Sequence, residues 1–151
     1  MLSAERELKV QQNPLVETDL SLVPFKAAYL EDLLELHRSQ NYLDLNAINC
    51  RTLPKVGYIA YLNRQPIAAG FLRRLEPCYA QIDTLVSNAY FGNKIRHQGL
   101  TIVVNELLEE AKLLKLEGIV SITNDEGVLK RAKDLGFHII DMKIIGLSLT
   151  T

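Results

Sequence analysis

The stretch that most constrains this chain is a helical stripe held between two strand-like segments. From Gly99 to Lys115, Leu100, Val103, Val104, Leu107, Leu108, Ala111 and Leu114 recur at helical spacing, while Asn105, Glu106, Glu109 and Lys112 fall away from them. An apolar stripe of that length has to be buried against another layer. Tyr79 to Val86 (YAQIDTLV) before it and Ile119 to Ile122 after it both read as strands. Strand, helix and strand in succession predict two parallel strands joined by a right-handed crossover. Gly118 is expected to stop the helix, because glycine accepts the left-handed conformation just past a helix end.

The rest of the chain fits around this unit. Leu20 to Phe25 (LSLVPF) is a short strand, and AAYLEDLLELHRSQ after it spaces Tyr29, Leu30, Leu33 and Leu36 as an amphipathic helix. NYLDLNAINCRTLPK is weaker, a short helix running into a loop. Val56 to Leu62 and Ile67 to Leu72 form a hairpin about the turn Asn63-Arg64-Gln65-Pro66. With Tyr79 to Val86 they make a three-strand meander. Beyond Ile122, Asn124-Asp125 can cap a second helix carrying Val128, Ala132 and Leu135 on one face and ending at Gly136. The final FHIIDMKIIGLSL reads as a last strand, bulged at Gly146. The expected fold is thus α/β: an antiparallel meander followed by a parallel βαβ unit, with flanking helices. Residues 1–17 read as an arm and 18–151 as one domain.

Composition matters here for what it excludes. At 151 residues with 48% apolar side chains, the chain can bury a core without staples, so it is not a disordered chain. A net charge of −1 argues against nucleic-acid binding by bulk electrostatics, which needs clustered excess cations. Any anion site must therefore be local. Cys50 and Cys78 form no metal or redox motif, and His37, His97 and His138 are scattered, so no metal is expected. The first residues carry charge where a signal peptide would be apolar, and no run approaches the ~18 apolar residues of a membrane span. A soluble, cytoplasmic protein without a membrane partner is the expectation.

Chemistry concentrates in Thr84 to Thr101, TLVSNAYFGNKIRHQGLT. A strand runs into a polar loop, and a helix is expected to open at Arg96-His97-Gln98-Gly99-Leu100-Thr101. Helix amino termini present unpaired N–H groups and the positive end of the helix dipole, which suits a phosphate. Gly99 would let such a ligand approach the backbone, with Lys94 and Arg96 adding charge. The plainer reading of Gly99 is a turn or helix-entry glycine.

That segment resembles motif A of the Gcn5-related N-acetyltransferases, the GNAT superfamily, in which Arg/Gln-x-x-Gly-x-Gly/Ala opens the helix after the fourth strand. Arg96-His-Gln-Gly99-Leu-Thr101 fits, with Thr101 in place of the small third residue. Asn124 at a strand end and Leu135-Gly136-Phe137 after a helix resemble the family's motif B. The element order matches as well, so the resemblance covers Leu20 to Leu149. A further impression is that the IRH…VVNELLEEAK phrasing is similar to phage-encoded members.

The resemblance implies acetyl transfer from acetyl-CoA, as cosubstrate, to a primary amine on a small molecule or a protein. It implies that Leu85, Val86 and Ser87 hold the pantetheine arm through their backbone. It puts the pyrophosphate on Arg96, His97, Gln98, Gly99, Leu100 and Thr101, and Asn124 near the arm. Asp83 lies where some members hold a catalytic carboxylate, on one face with Gln81 and Leu85; the alternative is an ordinary hydrogen-bonded strand aspartate. Three departures stand out. The loop from Ser87 to Ile95 is longer than usual, Thr101 is β-branched, and Ala132 stands where many members carry a tyrosine that protonates the leaving thiolate. The alternative reading is an inactive CoA-binding or protein-interaction module, such as a phage accessory or virion-associated protein. Glu31, Asp32, Glu35 and Asp44 could attract a cationic amine or simply be solvated. The apolar last strand could contribute to a homodimer.

Overall fold

The computed structural model describes residues 19–123 and 125–149; the arm and Asn124 lie outside that range. The described residues fall into two compact units, one up to Ser121 and one from Ile122 onward.

The first unit is a five-stranded sheet with a helix on each face. Its strands are β1 (Leu20–Pro24), β2 (Val56–Leu62), β3 (Gln65–Leu75), β4 (Tyr79–Ser87) and β5 (Gly118–Val120), in spatial order β1-β2-β3-β4-β5. The first three pairings are antiparallel and β4–β5 is parallel. This is the mixed sheet read from the sequence, an antiparallel meander followed by a parallel βαβ unit. The hairpin turn is tighter than expected, because Asn63 and Arg64 both take positive φ (49° and 70°) and close β2 on β3 in two residues. Pro66 is thereby drawn into β3 opposite Tyr61, beside a register shift at Ala60/Tyr61, the kind of irregularity that tolerates a residue without an N–H.

Helix α1 (Leu30–Ser39) follows one 3-10 turn, and α2 (Asn93–Leu113) crosses from β4 to β5. Leu33 and Leu36 of α1 pack with Ile48, Ile59, Ala69, Phe71 and Val86 on one face of the sheet. The ring of Phe25 meets Phe71 edge-on at 5.0 Å. Gly70 lies between Ala69 and Phe71 and so points the other way. A Cβ there would come within 3.0 Å of Val103 and 3.3 Å of Leu107, both on α2. The two helices therefore cover opposite faces. The buried residues of α2, namely Gly99, Leu100, Val103, Val104, Leu107 and Ala111, follow the stripe read from the sequence.

Helix α2 ends differently from expectation. Lys115 takes the left-handed position (φ 56°), with Lys115 N–H donating to Lys112 O and Leu116 N–H to Ala111 O. Gly118 instead opens β5, where a Cβ would strike the Tyr79 ring at 2.7 Å. Close approach, not helix termination, requires that glycine.

In the second unit, α3 (Glu126–Asp134) is capped by the Asp125 carboxylate, which accepts from Val128 N–H at 2.9 Å. Gly136 (φ 92°) closes it, with Gly136 N–H donating to Lys133 O and Phe137 N–H to Ala132 O. The expected last strand is not formed: residues 137–149 have no regular secondary structure and belong to no sheet among the described residues. Their apolar pattern suits a strand, but a strand exists only through its ladder partner. Ile139, Ile140, Met142, Ile144, Ile145, Leu147 and Leu149 are exposed. Among the described residues, no helix is long and apolar enough to cross a membrane.

Candidate active site

The carboxyl end of β4 is the point where the sheet opens. Strand β5 pairs with β4 only from Tyr79↔Gly118 to Gln81↔Val120 and then stops, whereas β4 continues to Ser87. From Ile82 to Ser87, β4 has no strand partner on that side among the described residues. On its other side Asn88 N–H donates to Ile67 O at 2.8 Å. Neighbouring Ser87, opposite Ala68, therefore turns its own N–H and C=O away from β3, because antiparallel pairs alternate. The Gln40 side chain at the end of α1 reaches that carbonyl, its Nε2 donating to Ser87 O at 2.8 Å.

A bulge sits in the middle of this edge. Ala69 pairs with Val86 and Phe71 with Asp83, so Thr84 and Leu85 together oppose Gly70. Thr84 takes φ 53°, a left-handed conformation unusual for a β-branched residue. The extra residue reverses the facing of the strand beyond it. Leu85 comes to lie over Gly70 on the α2 side, while Val86 joins the α1-side core with Phe71. Asp83 and Leu85 therefore do not share a face, whereas simple alternation predicts that they do.

Each carboxylate oxygen of Asp83 already accepts a hydrogen bond. Its Oδ2 accepts from Arg73 Nε at 2.5 Å and its Oδ1 from the Thr84 hydroxyl at 3.1 Å. Arg73 in turn donates from Nη2 to Thr52 O at 2.8 Å. The carboxylate ties β4 to β3 and to the loop before β2. Of the acidic residues near α1, Asp32 accepts from the Tyr61 hydroxyl at 2.5 Å, and Glu31 pairs with Arg38 at 3.5 Å. Burial, then the bond to Asp32, push the Tyr61 hydroxyl far above its ordinary pKa. The Cys78 thiol donates to Glu117 at 3.2 Å, and that bond raises its pKa, which disfavours the nucleophilic thiolate. No cluster of three or more His, Cys, Asp or Glu among the described residues could hold a metal.

The helix entry lies one turn earlier than the motif suggests. Helix α2 begins at Asn93 with Gly92 as its N-cap, and Arg96 N–H is already bonded to Gly92 O at 3.1 Å. The N–H groups without an intrahelical acceptor are those of Gly92, Asn93, Lys94 and Ile95, and no side chain among the described residues caps them. The amides of His97, Gln98, Gly99, Leu100 and Thr101 sit inside the helix and are spent on its own carbonyls. Nothing lies within 4 Å of where a Gly92 Cβ would stand, so the entry is open. At Gly99, by contrast, a Cβ would meet Ile67 at 2.9 Å and Ala68 at 3.1 Å. That glycine lets helix and sheet approach closely.

Loop and strand end are joined directly. Arg96 Nε donates to Ser87 Oγ at 3.0 Å, and Ala89 N–H to Ser39 Oγ at 2.9 Å. Asn88 locks the turn, donating to Pro66 O at 2.9 Å and accepting from Tyr90 N–H at 3.0 Å. The first turn of α2 has no acidic residue. The open β4 edge, the bulge and the uncapped amides therefore form one continuous surface with positive potential at one end. It suits an elongated ligand carrying amides and a terminal anion. Sequence reading missed Gly92, Asn93 and Ile95 as the entry, and Gln40 and Arg73 as its supports. The signal was there: Ile95 continues the stripe of Gly99 and Val103 one turn back, and glycine is an acceptable N-cap.

No family model matches the chain, and no curated protein matches it. Solved structures do. A GNAT-family acetyltransferase from Streptococcus pneumoniae superposes with a TM-score of 0.70 at 13% identity, over 87% of this chain and 99% of that one. An aminoglycoside N-acetyltransferase in complex with CoA gives 0.62 at 13% identity, covering 91% of this chain and 99% of its own. A predicted acetyltransferase from Clostridium acetobutylicum with acetyl-CoA gives 0.62 at 19% identity, covering 86% and 96%. At these identities the likeness is one of architecture, and it is unambiguous: the chain carries the fold of the GNAT acetyltransferases.

Proposed function

We propose that this chain is an acetyl-CoA-dependent N-acetyltransferase acting on a primary amine. The observation that carries the reading is the junction of the bare β4 edge with the uncapped entry of α2, tied by Arg96 and Ser87, in a fold whose solved relatives include CoA and acetyl-CoA complexes. When bound, acetyl-CoA supplies an acetyl group activated as a thioester. The amides of Gly92, Asn93, Lys94 and Ile95 hold the pyrophosphate, and Lys94 adds a cation. The backbone of Leu85 and the N–H of Ser87 hold the amide-bearing arm in the manner of an added strand, while Val86 keeps its backbone groups toward β3 and the Ser87 carbonyl is taken by Gln40. Arg96 acts on the cofactor through Ser87, fixing the strand end against the helix entry. Gly99 and Leu100 support the seat by packing, whereas His97 and Gln98 are exposed beside it; Thr101 inside the helix does not crowd the entry. Asn124 remains a further contact to the arm on sequence grounds.

The chain contributes mainly orientation and backbone donors to such a reaction. With both Asp83 oxygens occupied, the ammonium proton leaves through water instead of directly to this carboxylate. The same occupied carboxylate, together with Ala132, favours a second reading, a CoA-binding module without transfer. Acetyl-CoA at about 100 times its dissociation constant should stabilise the fold by roughly 2.7 kcal/mol. No rise in thermal midpoint would sink both readings. Thiol release with a panel of polyamines, aminoglycosides and peptide amines separates them, since binding without release in any mixture leaves only the module.

A further inference from the structure

The far end of the first unit holds a cleft that the proposed transfer does not use. Strand β2 starts at Val56, opposite Leu72, whereas β3 runs on to Leu75 and pairs there with β4 alone. The missing length of β2 leaves a notch of about 380 Å³. Val56, Leu72, Ala80 and Leu114 form its apolar part, and Lys55, Arg73 and Arg74 also line it, the Arg73 guanidinium being taken by Asp83 and the Thr52 carbonyl. Among the described residues, no acidic side chain lines it. Arg73 is neutralised by Asp83. The side chains of Lys55 and Arg74, however, make no hydrogen bond or ion pair with any described residue. The helix α2 spans 21 residues, or roughly 30 Å, so this notch at its carboxyl end is remote from Gly92.

We infer that this notch is a second ligand site, for a small amphipathic carboxylate: an acyl or aryl chain on the apolar floor with its carboxylate between Lys55 and Arg74. Two cations without a hydrogen bond or ion pair to any described residue, at the lip of an apolar cleft, select for that combination. A purely apolar ligand forgoes the charge-assisted bonds, and a bare inorganic anion forgoes the floor. The size of the notch suits a ligand at the small end of the usual range for pockets.

The experiment uses the full chain with octanoate as probe and octanamide as its uncharged counterpart, followed by titration calorimetry and methyl chemical shifts. Octanoate should bind saturably and perturb Val56, Leu72 and Leu114. Octanoate with Arg74→Gln should bind about tenfold more weakly, losing one charge-assisted contact, and octanamide more weakly still, losing both. Arg74 is exposed, so its neutral variant keeps the fold; Lys55→Gln provides a second, independent removal. Absence of saturable octanoate binding overturns the site. So does equal affinity for octanamide, unchanged affinity in both variants, or perturbation confined to Leu85 and Val86 at the other end.

Discussion

Two successive turns of α2 carry nearly the same apparent message in sequence and opposite roles in structure. The turn from Gly92 to Ile95 is open to solvent, uncapped and without an acid. The next, from Arg96 to Thr101, holds the motif-like glycine, yet that glycine is buried against Ile67 and Ala68. A glycine near a helix start can thus serve ligand approach or helix–sheet approach, and only the position of the first bonded amide tells which. Asn93→Pro separates the two turns most sharply. Proline is tolerated at the first helical position, and the preceding Gly92 already has an extended ψ of 163°. Stability should hold while one phosphate donor disappears, weakening CoA binding by about 1.5–3 kcal/mol, or roughly 10- to 100-fold. Unchanged affinity by calorimetry would move the anion seat away from the first turn.

The reciprocal change is Gly99→Val. Its branched side chain has to displace Ile67 and Ala68, at an expected cost of about 1–3 kcal/mol in urea unfolding. CoA affinity of the folded fraction should change far less than for Asn93→Pro. A stable Gly99→Val that fails to bind CoA would return the cradle to the second turn. Asp83→Asn tests the middle of the surface with a smaller effect. Removing a true general base typically costs about 10²–10⁴-fold in rate, whereas a carboxylate already occupied by Arg73 and Thr84 should cost less than about tenfold in kcat. A larger loss, with KM unchanged, would make Asp83 the base after all.

How much of the molecule is legible in its sequence depends on which interactions are local. The α2 stripe, the β2–β3 hairpin and the parallel β4–β5 pair were legible, because periodicity and turn residues encode them over a few positions. The bulge at Thr84 was not: nothing in YAQIDTLV marks the residue that β3 leaves unpaired, so the facing of Leu85 came out reversed. Nor was the Arg73–Asp83 pair, which depends on the register of two strands. The helix entry was misplaced by one turn because a family-like pattern outweighed the apolar stripe, although Ile95 extends that stripe. Lys115 took the left-handed position expected of Gly118 because that glycine is needed beneath Tyr79. The tail from Phe137 has the composition of a strand, and composition does not supply a partner.

An unpaired nitrogen is a site only where a ligand can reach it, and His37 supplies the contrasting case. Its Nε2 is buried on α1 without a hydrogen-bond partner among the described residues, with the Tyr42 ring 5.5 Å away. The open amides of Gly92 to Ile95 can be satisfied by an anion or by water; this nitrogen is closed off from both. Burial therefore holds the imidazole below its ordinary pKa of 6.5. The unfolded chain takes up a proton as pH falls through 6.5 and the folded chain resists it, so the native state loses stability from there down to its own lower pKa. Well above 6.5 both states are neutral and the term vanishes. Replacing the ring by an apolar side chain removes both the orphaned nitrogen and the linkage. Urea midpoints of His37→Leu and wild type should therefore differ by a constant above about pH 7 and diverge in favour of the variant as pH drops below about 6.5, while CoA affinity stays equal in the two. Parallel curves would mean that the buried nitrogen finds a partner, and a shift in CoA affinity would place His37 within reach of the β4 edge.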